Sequence, residues 1–506
     1  MNTTMIDLIP AQAATRITTL LGAPESRTLD FKRISAKHGR MIETVCAFAN
    51  SEGGLLAIGV EDAKQMKPGV KPESRLFGIE ENAEAFDDFR RQVMARFSPA
   101  MERLHWMRLP CMLRDGSAGH VVLLRVEKSD KVHTVIGDGT WTRMDASNRE
   151  MNAAEIADLS YRRGTRSAAA ETVPVALDLL ATDVWRRFAV ARGLKAGSFA
   201  EQLQRIGLAH VNEVAAGEVR PTRAAVLLFA DEPGSLLAAY DSRADIRLMV
   251  YDGKTAVPGA TPNLRKSPKT IRGPLIEQID AAVKTVLDEL AQGLTLSSSG
   301  FKTKHVYPER VVKEAIVNAV VHRDYRLNRD IFIRVFDDRI EIESPGAFPG
   351  NITAANIGKT GSKARNALIA LNLREFDEAP NIDAGEGVKM MFAEMAAAKL
   401  YPPQYAQNLD AAVESVTVTL LNLERPSVWD EVSAWIDAHG SIANAELCKL
   451  AGVDTLKASK MLVTWRDQGL LMALPDRVKR NMAYSKVEVE APDLLSSGLD
   501  NKLENS

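Results

Sequence analysis

The spacing of apolar and polar positions changes several times along the chain, and each change marks a new element. After a short lead-in helix over residues 1–22, LDFKRI alternates as a half-buried strand does. GRMIETVCAFAN has helical spacing, and LLAIGV, bounded by glycines, is a short apolar run of the kind a buried strand makes. Gly53-Gly54 between them fits a tight turn. HVVLLRVEK predicts another strand and residues 152–163 a closing helix, so residues 1–165 read as one α+β domain. SAAAETVPVAL is weakly patterned and reads as a linker. Residues 177–300 form an α/β connector, with AAVLLFA expected as a strand, LIEQIDAAVKTVLDEL as an amphipathic helix and LTLSSSG as a loop. From Tyr307 a module over 301–425 starts with the helix ERVVKEAIVNAVVH, Pro308 standing where a first turn tolerates it, and continues with the hairpin IFIRVFDDRIEIESPG. Residues 427–490 read as three helices and a hairpin, and 491–506 as a disordered tail. The fold class expected is α+β, multidomain.

Composition changes this picture little. The 506 residues suit several domains, and 45% hydrophobic with 26% charged residues is ordinary for a globular protein. A net charge of -2 excludes a polycation, so any nucleic-acid contact must come from local patches. Three cysteines without paired spacing argue against a disulfide framework and a zinc site. No apolar run of spanning length and no signal-peptide pattern stand out, so a cytoplasmic protein without a membrane partner is expected. Homo-oligomerisation is left open.

On the helix from Glu309, Glu314 and Asn318 lie four apart and share a face, with His322 one turn on. A carboxylate beside an amide oxygen suits Mg²⁺, a hard cation that takes oxygen ligands. Gly385 and Gly387 precede a helical stretch and could let backbone N–H groups approach phosphates. A solvated helix face is the plainer alternative for the pair.

The stretch YPERVVKEAIVNAVVHRDYRLNRDIFIRVFDDRIEIESPGAFP resembles the C-terminal ATP-binding-like domain of a large bacterial and archaeal family, often labelled ATP-dependent DNA helicases or transcriptional regulators. That domain is similar to the gyrase, histidine kinase and MutL (GHKL-type) α/β sandwich. The resemblance implies ATP and Mg²⁺ as ligands. It makes Asn318 the Mg²⁺ ligand, Glu314 the group near the attacking water, and Gly385-Glu386-Gly387 the phosphate lid. Ser344-Pro345-Gly346 stands where the fold usually has an Asp-x-Gly adenine contact, and this chain has no Asp there. No G-x-x-x-x-G-K-S/T loop is found, so helicase chemistry is not expected.

The segment ESRTLDFKRISAKHGRMIETVCAFANSEGGLLAIGVED, continuing to WTRMDASNRE, resembles the Schlafen-type Alba-like domain. Some members are nucleases with a trio of acids, and the resemblance places that trio at Glu25, Asp30 and Asp62, with Lys32 facing a phosphate. Three carboxylates could hold metal ions and polarise a phosphodiester. The second acid is Asp where the family has Glu. Many relatives are described only as DNA-binding, and a solvated acidic rim remains the alternative. Arg27, Lys32, Arg33, Lys37, His38 and Arg40 could track a phosphate backbone or form a solvated face.

The last module resembles a winged helix-turn-helix, with Ser441 as the N-cap of its second helix. Its third helix would enter a major groove with Thr455, Lys457, Ser459 and Lys460 toward bases, while Arg477, Lys479 and Arg480 on the wing contact phosphates. Trp465 and Leu462 are expected in the core. Such domains also bind proteins.

Two functions follow: a nucleotide-responsive regulator that binds DNA or RNA, or a metal-dependent nuclease gated by nucleotide, serving in defence. A scaffold that has lost both activities is the third possibility.

Overall fold

The computed structural model describes residues 5–67, 69–102, 104–212, 217–240, 242–257, 259, 261–291, 294–297, 300–303, 307–350, 352–354, 356–359, 364–380, 386–408, 413–474 and 482–486. The chain divides into two compact units, Met1–Ser167 with Phe348–Asn351, and Ala168–Ala347 with Ile352–Asp493.

The first unit is built on a five-stranded sheet. Its order is Ile6–Asp7, Leu104–Met112, Ala118–Val126, Gly54–Ile58, Leu29–Lys32. The two middle strands alternate between two apolar layers. Leu56, Ile58, Val122 and Leu124 pack with the helix His38–Asn50 and with Phe86 and Phe89 of the helix Ala83–Ala95. Leu55, Ala57, Val121 and Leu123 pack on the other face with the helix Pro10–Gly22. Coverage of both faces is why LLAIGV is apolar without alternation. Leu29–Lys32 runs parallel to Gly54–Ile58 with Asp30 opposite Leu56, which puts the Asp30 side chain on the His38–Asn50 side.

The second unit carries a six-stranded sheet in the order Lys269–Ile271, Ile246–Val250, Ile331–Val335, Arg339–Pro345, Ser415–Leu421, Gln404–Asn408. The hairpin expected around Asp337-Asp338 is its centre, with Ile333 opposite Ile342. Two strands come from the middle of the chain: Ile246–Val250 lies parallel to Ile331–Val335 and shares its core. Against the sheet lie the helices Leu275–Ala291 and Glu309–His322, the latter burying Val311, Val312, Ala315, Ile316, Val320 and others.

AAVLLFA is not a strand. Residues Arg223–Phe229 form a helix, all seven buried, with the Thr222 hydroxyl accepting the Ala225 N–H at 3.2 Å. A short apolar run buried on every side carries no period, so spacing could not separate strand from helix. LTLSSSG is also not a plain loop, since Leu294–Ser297 pairs antiparallel with Gly300–Thr303.

The last module has helices Trp429–His439, Asn444–Ala451 and Thr455–Asp467, and a small sheet ordered Ile442–Ala443, Ala483–Lys486, Leu471–Ala473. Its core holds Trp429, Leu462 and Trp465, and the Trp465 indole N–H donates to Tyr401 Oη at 2.9 Å. Ser441 does not cap the second helix. The strand Ile442–Ala443 intervenes, and the Ala443 N–H donates to Glu446 Oε2 at 3.1 Å instead.

Candidate functional site

In the first unit the strand Leu29–Lys32 and the turn before it bring Glu25 and Asp30 together. The Phe31 N–H donates to Glu25 Oε1 at 3.3 Å. Lys32 Nζ pairs with Asp30 and stands 3.8 Å from Glu25. Asp30 is only 2% exposed. Its Oδ2 accepts from Arg143 Nη1 at 2.9 Å and from the Thr44 hydroxyl at 3.3 Å. Arg143, itself buried, also donates to Asn148 Oδ1 at 2.8 Å and to the Ser26 carbonyl at 3.1 Å, and it lies over the Phe48 ring. A charge this enclosed calls for such partners, because burial takes away the solvation that water would give it.

Asp62 has a separate local task. Its carboxylate accepts the Lys64 N–H at 3.1 Å and caps the turn Ala63–Gln65. Among the described residues no group of three or more His, Cys, Asp or Glu is arranged as a ready metal site, while the charges of both Asp30 and Asp62 act on Glu25. Lys32 is matched by Asp30 and Glu25. Arg33 is matched by Glu61 at 3.3 Å and by Glu81, and it covers the Phe77 ring. These two cations are committed to carboxylates of their own unit. Sequence reasoning missed Arg143. It stands in WTRMDASNRE, inside the recognised segment, but its partner is 113 residues away.

Glu25 is pushed up to about 7, first by burial and then by its hydrogen bond with Asp30 and that residue's charge, with Lys32 opposing. Because the folded value lies above the ordinary 4.5, Glu25 supports the fold fully below pH 4.5, and that support is lost as pH rises through about 7. Glu25→Gln is therefore expected to match the native protein in urea unfolding near pH 4.5. At pH 8 it should be more stable, by an amount on the order of 1–3 kcal/mol. An unchanged difference across that range would remove the Glu25–Asp30 interaction from the account.

In the second unit the helix Glu309–His322 is buried along most of its surface, and Glu314, Asn318 and His322 share a half-buried polar stripe. Asn318 Nδ2 donates to Glu314 Oε1 at 3.0 Å. Burial raises the Glu314 carboxyl above its usual range, opposed by the Asn318 hydrogen bond and the Arg310 charge. Burial and the Arg365 charge lower His322 to about 4, so its ring is neutral at pH 7. The helix Gly387–Ala397 begins directly on this stripe: a Cβ at Gly387 would stand 1.8 Å from Glu314 Oε1. Gly385 lies outside the described residues.

Gly346 has φ +110°, and a Cβ there would meet Asp324 Cβ at 2.8 Å. Asp324 thus packs under the glycine of Ser344-Pro345-Gly346. Its carboxylate is held by Arg326 at 2.6 Å and Arg365 at 3.5 Å, which keep it below the usual carboxylate range despite burial. The Ser344 hydroxyl donates to the Ala319 carbonyl at 2.7 Å, tying this strand to the Glu314 helix.

In the last module Lys457 and Lys460 are exposed on the helix Thr455–Asp467, together with Thr455, Leu456 and Ser459. Asp454 caps this helix by accepting the Lys457 N–H at 2.8 Å. Arg477, Lys479 and Arg480 lie outside the described residues.

Residues 25–152 match the family described as Schlafen, AlbA_2, and residues 328–420 match the family described as "Putative ATP-dependent DNA helicase recG C-terminal". The chain therefore joins a Schlafen AlbA_2 domain to an ATP-binding-like domain of that description, the combination its sequence resembled. Together the two matches suggest nucleotide binding in a function related to nucleic acid. No curated protein matches the chain. The crystal structure of the DIP2311 protein from Corynebacterium diphtheriae is similar at 16% identity, over 94% of this chain and 99% of that one, with a TM-score of 0.38. Among the described residues no helix is long and apolar enough to cross a membrane.

Proposed function

We propose that the protein is a nucleotide-responsive regulator that binds nucleic acid. The observation that carries this reading is the meeting of Glu314, Asn318 and the start of the helix Gly387–Ala397 on one half-buried stripe. A carboxylate, an amide and a helix N-terminus are the groups that a Mg²⁺–triphosphate calls for. Asn318 gives its amide N–H to Glu314, which leaves its carbonyl oxygen for the metal. The donor set, all oxygen, fits Mg²⁺. When bound, that ion would neutralise phosphate charge, and the work of the chain itself is to hold and exclude. Asn318 orients and Gly387 lets the backbone come close, and Gly346 and Gly385 are the further glycines assigned to nucleotide binding in this reading. Glu314, raised by burial, is placed to take a proton from water if the nucleotide is hydrolysed.

The last module supports the nucleic-acid half of the reading. Three helices and a small sheet in this order suit a winged helix, and Lys457 and Lys460 are exposed on the third of them. Arg477, Lys479 and Arg480 would add phosphate contacts. Lys32 and Arg33 are weaker candidates, because each is already paired. The alternative, a nuclease using Glu25, Asp30 and Asp62, draws support from the raised Glu25. It is disfavoured by the burial of Asp30 against Arg143.

ATP with Mg²⁺ at saturating concentration is expected to raise the melting temperature of the purified protein, and Asn318→Ala should abolish most of that rise. DNA binding should weaken with salt and weaken further in a Lys457→Ala/Lys460→Ala variant. No thermal shift with any nucleoside triphosphate would sink the ligand reading. Binding indifferent to both lysines would move the nucleic-acid surface elsewhere.

A further inference from the structure

The last module carries three cations without a carboxylate partner. Lys449, Lys457 and Lys460 are exposed and enter no ion pair among the described residues, whereas Arg466 is matched by Asp467 at 2.7 Å. The two helices that bear them are fixed to each other. The helix Asn444–Ala451 ends at Gly452, whose φ is +62°, and Asp454 caps the helix Thr455–Asp467. Asn444 Nδ2 donates to the Thr455 carbonyl at 3.1 Å, which joins the starts of the two helices. A short turn containing glycine between two such helices is the helix-turn-helix arrangement.

The helix Thr455–Asp467 buries Ala458, Leu462 and Trp465 in the module's core. At 3.6 residues per turn, Leu456 and Lys460 are each turned about 160° from Ala458, so both stand on the face opposite that core. Leu456 is 68% exposed, and among the described residues of this module no other large apolar side chain is exposed. A protein-binding face is built around a buried apolar centre of several side chains, which one leucine among lysines does not supply. A polyanion with isolated apolar points fits better. In the major groove of duplex DNA the thymine C5 methyl is such a point, with phosphates on either side of the groove.

We propose that Leu456 reads thymine: it packs on the C5 methyl of a thymine in duplex DNA, while Lys449, Lys457 and Lys460 draw in the surrounding phosphates. This rests on the nucleic-acid reading above and narrows it in two ways. The partner is DNA, because the uracil of RNA lacks that methyl, and the binding has a sequence preference. Burying one methyl corresponds to about a 4-fold change in affinity. The lysines, acting on phosphates, contribute equally whether or not the methyl is there.

The test uses the full-length protein and its Leu456→Ala variant, whose fold is expected to be intact because the side chain lies outside the core. Duplexes that bind the native protein most tightly are selected from a random pool. The best is then remade with deoxyuridine in place of each thymidine in turn, which deletes a single methyl. Replacement at one thymine position should weaken binding by the native protein about 4-fold. The variant should bind the two duplexes equally, whereas Lys460→Ala should weaken both and keep their ratio. A selected site without thymine overturns the inference, and so does a duplex that binds but is indifferent to deoxyuridine at every position. Discrimination that persists in Leu456→Ala also overturns it, since another group would then read the methyl. In these cases the nucleic-acid reading stands. If the native protein binds no duplex at all, the inference is overturned through that reading instead.

Discussion

Arg143→Ala is expected to cost the first unit about 3–5 kcal/mol, because it strands a buried carboxylate. Asp30 is 2% exposed, and Arg143 Nη1 is the donor at 2.9 Å on its Oδ2. Lys32 remains on the other oxygen, but it is a flexible and partly exposed cation. The loss reaches further than one pair. Arg143 also holds the Ser26 carbonyl and Asn148, and Asn148 in turn donates to the Thr44 hydroxyl at 2.8 Å. One guanidinium therefore ties the strand Leu29–Lys32, the helix His38–Asn50 and the strand Trp141–Met144 together. Urea unfolding of residues in this unit, followed by amide exchange, checks the figure. A loss below about 1 kcal/mol would mean that water replaces Arg143 at Asp30, as at an exposed pair. The prediction also governs how catalysis is tested. Asp30→Ala should unfold the unit to a similar degree, so loss of a nuclease signal in that variant would say nothing about chemistry. Glu25→Gln is the informative change there.

The second large effect is expected at Gly387. Its Cβ position is filled by the Glu314 carboxylate, and Gly387→Ala must push the two helices apart or displace Glu314 from Asn318. Overpacking of this kind costs about 1–3 kcal/mol. It outweighs the gain of roughly 1 kcal/mol that alanine brings to a helix interior, a gain that is smaller still at a first helical position. The decisive measurement is a double-mutant cycle with Glu314→Ala, which empties the space. The Gly387→Ala cost should largely vanish in that background, giving a coupling well above the few tenths of a kcal/mol seen between independent sites. Additive effects would show that glycine is needed there for another reason.

Much of the fold was legible in the sequence because it depends on local periodicity. The helices Glu309–His322 and Leu275–Ala291, the hairpin around Asp337-Asp338 and the strand within LLAIGV all follow from spacing and glycine punctuation. AAVLLFA was not legible, since a short segment buried on all sides has no polar face to set a phase. The candidate sites divide in the same way. Glu314 and Asn318 are four apart on one helix, so their partnership follows from the helical repeat. Arg143 is 113 residues from Asp30, and Gly387 is far along the chain from Glu314, so neither contact has a local signature.

By itself the sequence determined the identity of the two recognised domains, the helix that carries the Glu314–Asn318 pair, and the absence of an Asp at Ser344-Pro345-Gly346. Each of these is a property of neighbours in the chain. The tertiary structure decided how charges are spent. It buried Asp30 against Arg143, committed Arg33 to Glu61 and Glu81, put Asp324 beneath Gly346, and seated a helix start on Glu314. It also joined Ile246–Val250 to the sheet that holds the Glu314 helix. Whether a carboxylate is free for a ligand depends on which distant group neutralises it in a low-dielectric interior, and only the folded chain fixes that pairing.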